Sequence, residues 1–218
     1  MKQANTQKKY NQLLIILLVN FVLSPFLRDN IGNIILSSLF LYAIIVIVRT
    51  FSLNKIFFSF YSTIAILAFC LSLIGRLGMS TSWTVAFSFF IQSIYIIYLT
   101  VAILLIARDI FLSETVSVDT IRGSICLYLL IGFVWGLMYS IVASINPQAF
   151  SQPLILEEPF GEAFYFSFTT LTTLGYGDIL PVSPLARVLT NIEAIIGQLY
   201  PSILIAILVS DYLAQRKK

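Results

Sequence analysis

The residues of this chain with the clearest chemistry lie in Thr172-Thr173-Leu174-Gly175-Tyr176-Gly177-Asp178. Two glycines flank a tyrosine, hydroxyl residues precede them and an acid follows. Glycine adopts positive φ at little steric cost, so Gly175 and Gly177 allow the backbone to alternate between left- and right-handed conformations. Such alternation aims successive carbonyls at one axis. Carbonyls arranged in rings replace the water around a cation without carrying full charge. The chemistry on offer is therefore coordination of a dehydrated cation by backbone oxygen. Side-chain metal chemistry is not on offer in the same way. The chain has no His, and its 2 cysteines, Cys70 and Cys126, lack zinc spacing. Both lie in apolar runs and read as small buried residues, not as a disulfide.

A second group of polar residues interrupts the last apolar stretch: Glu193, Gly197, Gln198 and Pro201. An acid inside a membrane span is expensive and by default a functional candidate. Glu193 reads equally as a tuner of the preceding hydroxyl-bearing segment or as a structural tie. Gly197 and Pro201 predict a bend. Gln198, Pro201 and Ile205 recur at helical spacing and could line a cavity.

The elements that must position these residues are membrane helices. Of 218 residues, 59% are hydrophobic and 11% charged. A soluble domain is roughly 45–50% apolar and roughly 25% charged. The 18 Phe and 11 Tyr suit lipid packing and interfacial anchoring. A span needs roughly 20 apolar residues. Six stretches fit: 10–27, 31–48, 56–74, 83–107, 123–145 and 185–213. A shorter apolar patch at 163–171, broken by Ser167, Thr169 and Thr170, reads as re-entrant, a geometry tolerated where protein or water surrounds it. The first stretch follows Lys2, Lys8 and Lys9 but has no small-x-small cleavage site, so it is expected to be retained.

Basic residues orient the spans. With a cytoplasmic amino terminus, Lys2, Lys8, Lys9, Arg49, Lys55, Arg108, Arg122, Arg216, Lys217 and Lys218 face inward, and Arg28, Arg76 and Arg187 face outward. The inward excess sets both termini in the cytoplasm and the 146–184 loop outside. That loop is acidic, with Glu157, Glu158, Glu162 and Asp178. The net charge of +3 is thus a topology signal, and nucleic-acid binding is a poor reading.

The run from Gly161 to Asp178, with its Thr-x-x-Thr-x-Gly-Tyr-Gly-Asp string, resembles the pore loop of potassium channels. Pro181 and Ser183 follow at the family's spacing, Arg187 opens the last helix, and Gly197 sits where a hinge glycine often stands. The likeness covers about 123–213. The last helix, with Glu193, Gly197 and Gln198, looks like that of small prokaryotic channels with a two-span pore. The resemblance implies that Thr173, Leu174, Gly175 and Tyr176 supply carbonyl layers, within a filter of residues 173–177, and that the Thr173 hydroxyl closes the inner site. It implies that Tyr176 points its ring away from the axis and braces the filter. Asp178, Thr172, Tyr165 and Glu193 are the expected filter supports, with Tyr165 a hydrogen-bond partner for Asp178. Leu174 departs from the usual Val or Ile but leaves the carbonyl unchanged.

The expected fold is therefore an all-α membrane protein: six transmembrane helices plus a re-entrant pore helix and filter loop, assembled as a homotetramer in the plasma (inner) membrane. The expected domains are a four-helix membrane domain at 1–107, a cytoplasmic connector at 108–122 with an interfacial helix, and a pore domain at 123–218. Within the pore domain the outer helix spans 123–145, the pore helix 161–172 and the inner helix 185–213. Pro159 and Glu162 fit the first turn and positive end of the pore helix. One pore loop per chain calls for four chains to close a ring. The expected function is passive, selective conduction of potassium, with no enzyme activity and no cofactor beyond the permeant ion. The alternatives are a coupled potassium transporter subunit or a weakly selective cation channel. A voltage sensor needs several Arg or Lys in the fourth span, since each charge crossing the field contributes about 2.3 kcal/mol per 100 mV. Residues 83–107 contain none, so conventional voltage gating is not expected. Nor does the sequence suggest a soluble ligand-gating domain.

Overall fold

A computed structural model describes residues 9–27, 30–50, 59, 62–63, 65–67, 69–70, 81–112, 117–154 and 161–216. Among them the chain is helical, and the one β feature is an isolated antiparallel bridge between Phe150 and Pro181. The named helices are α1 (Asn11–Leu23), α2 (Asn30–Thr50), α3 (Thr81–Phe111), α4 (Val118–Ile145), α5 (Glu162–Leu171) and α6 (Pro184–Arg216). The third expected span, 56–74, lies mostly outside the described residues; those described within it are helical.

Residues 89–111 of α3, all of α4 and residues 184–207 of α6 are long and apolar enough to cross a bilayer. By length and composition these helices support a multi-pass membrane protein. The first expected span is shorter than its apolar stretch. Ser24 caps α1 through its N–H to the Asn20 carbonyl, and Pro25 then removes a donor and ends the helix.

Local chemistry sets the boundaries of the C-terminal half. Ser117 caps α4 in a capping box: its hydroxyl accepts from the Thr120 N–H at 3.1 Å, and the Thr120 hydroxyl accepts from the Ser117 N–H at 3.3 Å. Asp119 in the first turn faces the positive helix end. At the far end Asn146 turns extended before Pro147, as residues before proline do. An interfacial helix of its own across 108–122 is not formed by the residues described there. Residues 108–111 finish α3 and 118–122 begin α4, while 113–116 lie outside the described residues.

Helix α4 is the centre of the packing, touching α1, α3, α5 and α6. One apolar core joins α1 through α5, with Leu13, Phe40, Ile106, Phe133, Phe164 and Phe168 among its members. A second lies under the 146–184 loop and includes Trp135, Tyr139, Phe150, Phe166 and Ile179. Two glycines of α4 seat α5. A Cβ on Gly132 would lie 2.6 Å from the Phe168 ring, and one on Gly136 2.7 Å from the Phe164 ring. Both pairs are four residues apart, one helical turn on each side, so the aromatic knobs of α5 drop into a groove along α4.

Of the cysteines, Cys126 is buried as expected, whereas Cys70 is exposed on the single chain.

Candidate functional site

The site is the hairpin Thr172–Asp178, held on the C-terminal end of α5. A helix leaves its last four carbonyls without intrahelical donors. Here each finds one. The Thr172 N–H and hydroxyl donate to Phe168 O at 3.1 and 2.7 Å. The Leu174 and Gly175 N–H groups donate to Thr169 O at 2.8 and 3.1 Å, and the Thr173 N–H to Thr170 O at 2.9 Å. The Tyr128 hydroxyl of α4 donates to Leu171 O at 3.0 Å. The ascending strand thus consumes the helix end that precedes it, which fixes where the strand starts.

Along that strand every second residue has positive φ: Thr173 at 59°, Gly175 at 52° and Gly177 at 80°. The two glycines are the positions that sequence reasoning singled out. Thr173 was not anticipated there. A non-glycine residue pays about 1–2 kcal/mol for this conformation, and nothing about a threonine in the sequence announces it. A Cβ on Gly175 or Gly177 meets nothing within 4 Å, so the glycine requirement at both positions is one of backbone conformation.

The outer end is braced by side chains. The Tyr165 hydroxyl donates to Asp178 Oδ2 at 2.6 Å, and the Ile179 N–H donates to Asp178 Oδ1 at 3.0 Å. The hydrogen bond from Tyr165 holds the Asp178 carboxyl below its usual range. The same bond pushes the Tyr165 phenol up to about 12. The Tyr176 ring lies parallel to that of Tyr165, with centroids 6.4 Å apart and planes within 6°. Gln152 donates to the Asp178 carbonyl at 3.1 Å, a support that the sequence did not reveal. Ser151 and Ala149 pair with Leu180, Val182 and Ser183, lashing the descending limb to the end of the outer loop. Pro159 lies outside the described residues.

Behind α5, Glu193 of α6 is 0% exposed. Its Oε2 accepts from the Tyr139 hydroxyl at 2.5 Å, and its Oε1 lies 2.6 Å from Ser167 Oγ. Ser167 Oγ also reaches Gly132 O at 2.8 Å. Sequence reasoning set Glu193 against the Ser/Thr side of this segment, which Ser167 supplies, but did not name Tyr139. Gly197 is buried where α6 crosses the end of α5: a Cβ there would lie 1.9 Å from Leu171 O. Gln198 is exposed on the single chain and Pro201 half-buried, inside a helix that continues to Arg216. No cluster of three or more His, Cys, Asp or Glu side chains occurs among the described residues, so what the site offers a cation is backbone oxygen.

Residues 123–213 match the family model described as "Ion channel", a family of channels rather than enzymes. Three curated proteins share parts of the sequence. The inward rectifier potassium channel Kirbac3.1 of Paramagnetospirillum magnetotacticum is 48% identical over 40 residues, 18% of this chain and 14% of that protein. The voltage-gated potassium channel Kch of Escherichia coli (strain K12) is 37% identical over 91 residues, 42% of this chain and 20% of that protein. The potassium voltage-gated channel protein shk-1 of Caenorhabditis elegans is 38% identical over 50 residues, 23% of this chain and 9% of that protein. The chain thus spans between 9% and 20% of the length of these relatives. No solved structure matches it. Residues 123–213 thus match the ion channel family model, and parts of the chain are similar in sequence to potassium channels from bacteria and an animal.

Proposed function

We propose that the chain is one subunit of a homotetrameric channel that conducts potassium passively through rings of backbone carbonyls from Thr173, Leu174, Gly175, Tyr176 and Gly177. The observation that carries this reading is the alternation of positive φ at Thr173, Gly175 and Gly177 on a hairpin docked to a short re-entrant helix. Such a strand presents carbonyl oxygens as a substitute hydration shell. A single hairpin surrounds nothing, so closure of the ring needs copies related by cyclic symmetry. In keeping with that, Leu174 and Tyr176 are 56% and 68% exposed on the single chain. The Tyr176 phenol makes no hydrogen bond to a described residue of its own chain, which leaves it for a neighbour. In this reading six spans cross the plasma (inner) membrane with both termini in the cytoplasm, and the hairpin opens outward.

The same reading makes residues 1–107 a membrane domain that does not sense voltage conventionally. Arg108 is the one basic residue of α3, and it stands in the last turn. A sensor needs several charges within the field.

Ion flux from liposomes that contain the purified chain tests the proposal. Potassium flux that barium blocks and that Gly175→Ala abolishes is the expected result. Equal sodium flux would refute selectivity, and flux that survives Gly175→Ala would refute conduction through this hairpin.

A further inference from the structure

Glu193 sits where α4, α5 and α6 meet, and the hydrogen bonds around it can be counted. The Tyr139 hydroxyl proton goes to Glu193 Oε2 at 2.5 Å. Ser167 Oγ has one proton and two neighbours, Gly132 O at 2.8 Å and Glu193 Oε1 at 2.6 Å. The Gly132 carbonyl can only accept. With the Ser167 proton given to it, the contact between Ser167 and Glu193 needs a proton from the carboxyl itself. The alternative is an ionised Glu193 that takes both hydroxyl protons. That would leave a full charge with 0% exposure between three helices of a membrane protein. No Lys or Arg pairs with it among the described residues. Moving an isolated carboxylate into so apolar a place is costly enough that the group neutralises instead.

We infer that Glu193 is held as the neutral acid, and that through this proton it acts as the positioning residue that fastens the pore helix α5 between the outer helix α4 and the inner helix α6. The inference rests on the reading of α5 and its hairpin as the conducting element. The groups around the carboxyl fit a neutral acid. Helix α4 presents the titratable Tyr139 and, further off, Tyr128. Helix α5 presents Ser167, and α6 itself presents Thr190, whose side chain bonds Tyr139. All are uncharged hydroxyls near neutral pH. Glu193 is the donor that completes the chain Tyr139–Glu193–Ser167–Gly132, and each link lies on a different helix from the next. Since α5 carries the hairpin on its last four carbonyls, a shift of α5 at Ser167 is a shift of the filter.

The experiment uses the full chain in liposomes, read by infrared spectroscopy and by potassium flux against pH. In the wild type a protonated-carboxyl band is expected at neutral pH, absent from Glu193→Gln. Glutamine keeps an acceptor for Tyr139 and a donor for Ser167, so its flux should stay near wild type and should lack the fall at alkaline pH that ionisation of Glu193 is expected to cause in the wild type. Glu193→Ala removes the acceptor of Tyr139 and leaves Ser167 bonded to Gly132 alone, so it breaks the tie to α6 and should lower flux about tenfold or more. Should Glu193→Gln fail to assemble, Ser167→Ala makes the same assignment, because it removes the acceptor of the carboxyl proton and shifts the band. A wild type with no such band at neutral pH, a band unmoved by Ser167→Ala, or glutamine as damaging as alanine would each overturn the inference. A wild type that shows the band but carries no potassium would instead sink the channel reading and leave the proton on Glu193 established.

Discussion

Tyr165 and Asp178 join the first turn of α5 to the far end of the Thr172–Asp178 hairpin, the filter of the proposed channel, by a hydrogen bond of 2.6 Å, and its protonation states fix its pH range. The bond holds the Asp178 carboxyl below its ordinary value, so it favours the ionised acid in the folded chain. That contribution is complete above the ordinary carboxylate range near about 4 and fades as pH falls through the lowered value. On the alkaline side the phenol keeps its proton up to about 12. The brace is therefore intact at neutral pH and fails first in acid. Acidifying the outer solution should reduce steady potassium flux, and Tyr165→Phe should reduce it at neutral pH and flatten the acid response. An unchanged acid response in Tyr165→Phe would place the sensitive group elsewhere. This pair was legible in the sequence because the resemblance supplied it, and Gly175 and Gly177 because positive φ leaves a glycine behind. Thr173 shares their backbone sign but carries a side chain, so its conformation left no trace. Ser167 was within reach of the sequence, since an acid in the last apolar stretch was set against the hydroxyl-bearing segment before it. Tyr139 was silent as a partner of Glu193: it stands 54 residues away, and no local pattern links a tyrosine of one span with an acid of another.

Between elements, α6 crosses α5 with backbone against backbone at Gly197. Gly197 comes so close that a Cβ would sit 1.9 Å from Leu171 O and 2.7 Å from the Leu171 carbonyl carbon. Both surfaces are backbone, so no side chain can swing aside. Overpacking of this kind costs about 1–3 kcal/mol. Gly197→Ala should accordingly lower the thermal stability of the detergent-solubilised protein and its flux together, since Leu171 ends the helix that carries the filter. Pro201, four residues on, has no N–H to give the Gly197 carbonyl, so a hinge at this glycine is the competing proposal. A Gly197→Ala protein of unchanged stability but altered open probability would favour the hinge over close packing. The sequence announced the long apolar helices α3, α4 and α6 through length and hydrophobicity alone. Their ends were harder to place. The connector 108–122 mixes polar and apolar residues in a way that suits an interfacial helix, yet residues 108–111 and 118–122 prolong the spans on either side. The capping box at Ser117 and Thr120 decides where α4 begins, and a capping box needs its geometry as well as its residue types.

At the scale of the molecule, α1 and the residues before it pack directly on the helices that follow. Tyr10, 2% exposed, donates from its hydroxyl to Asp109 at the end of α3 and from its N–H to Asp119 at the start of α4, while Lys9 pairs with Asp109 at 2.8 Å. Its ring rests on Gly123, where a Cβ would lie 2.9 Å away. Phe21 of α1 also meets Phe168 of the pore helix edge to face, with centroids 4.6 Å apart. Tyr10→Ala should cost about 3–5 kcal/mol, as other large-to-small aromatic changes in cores do, and should uncouple residues 1–107 from the pore, read as altered flux in whatever fraction stays folded. The larger consequence concerns assembly. If four filter hairpins build one ion site, that site exists in the tetramer and not in the separated chains. A ligand that binds only the assembled state stabilises it by RT ln(1 + [L]/Kd), about 2.7 kcal/mol when [L] is about 100 Kd. Potassium should therefore protect the tetramer against heat and detergent where sodium at equal ionic strength does not, measured as the tetramer fraction on size exclusion after heating. Gly175→Ala should erase the difference between the two ions, because the strained backbone at φ 52° no longer completes the ring. Equal protection by both ions in the wild type would separate assembly from selective coordination and count against the filter as drawn from Thr173 to Gly177.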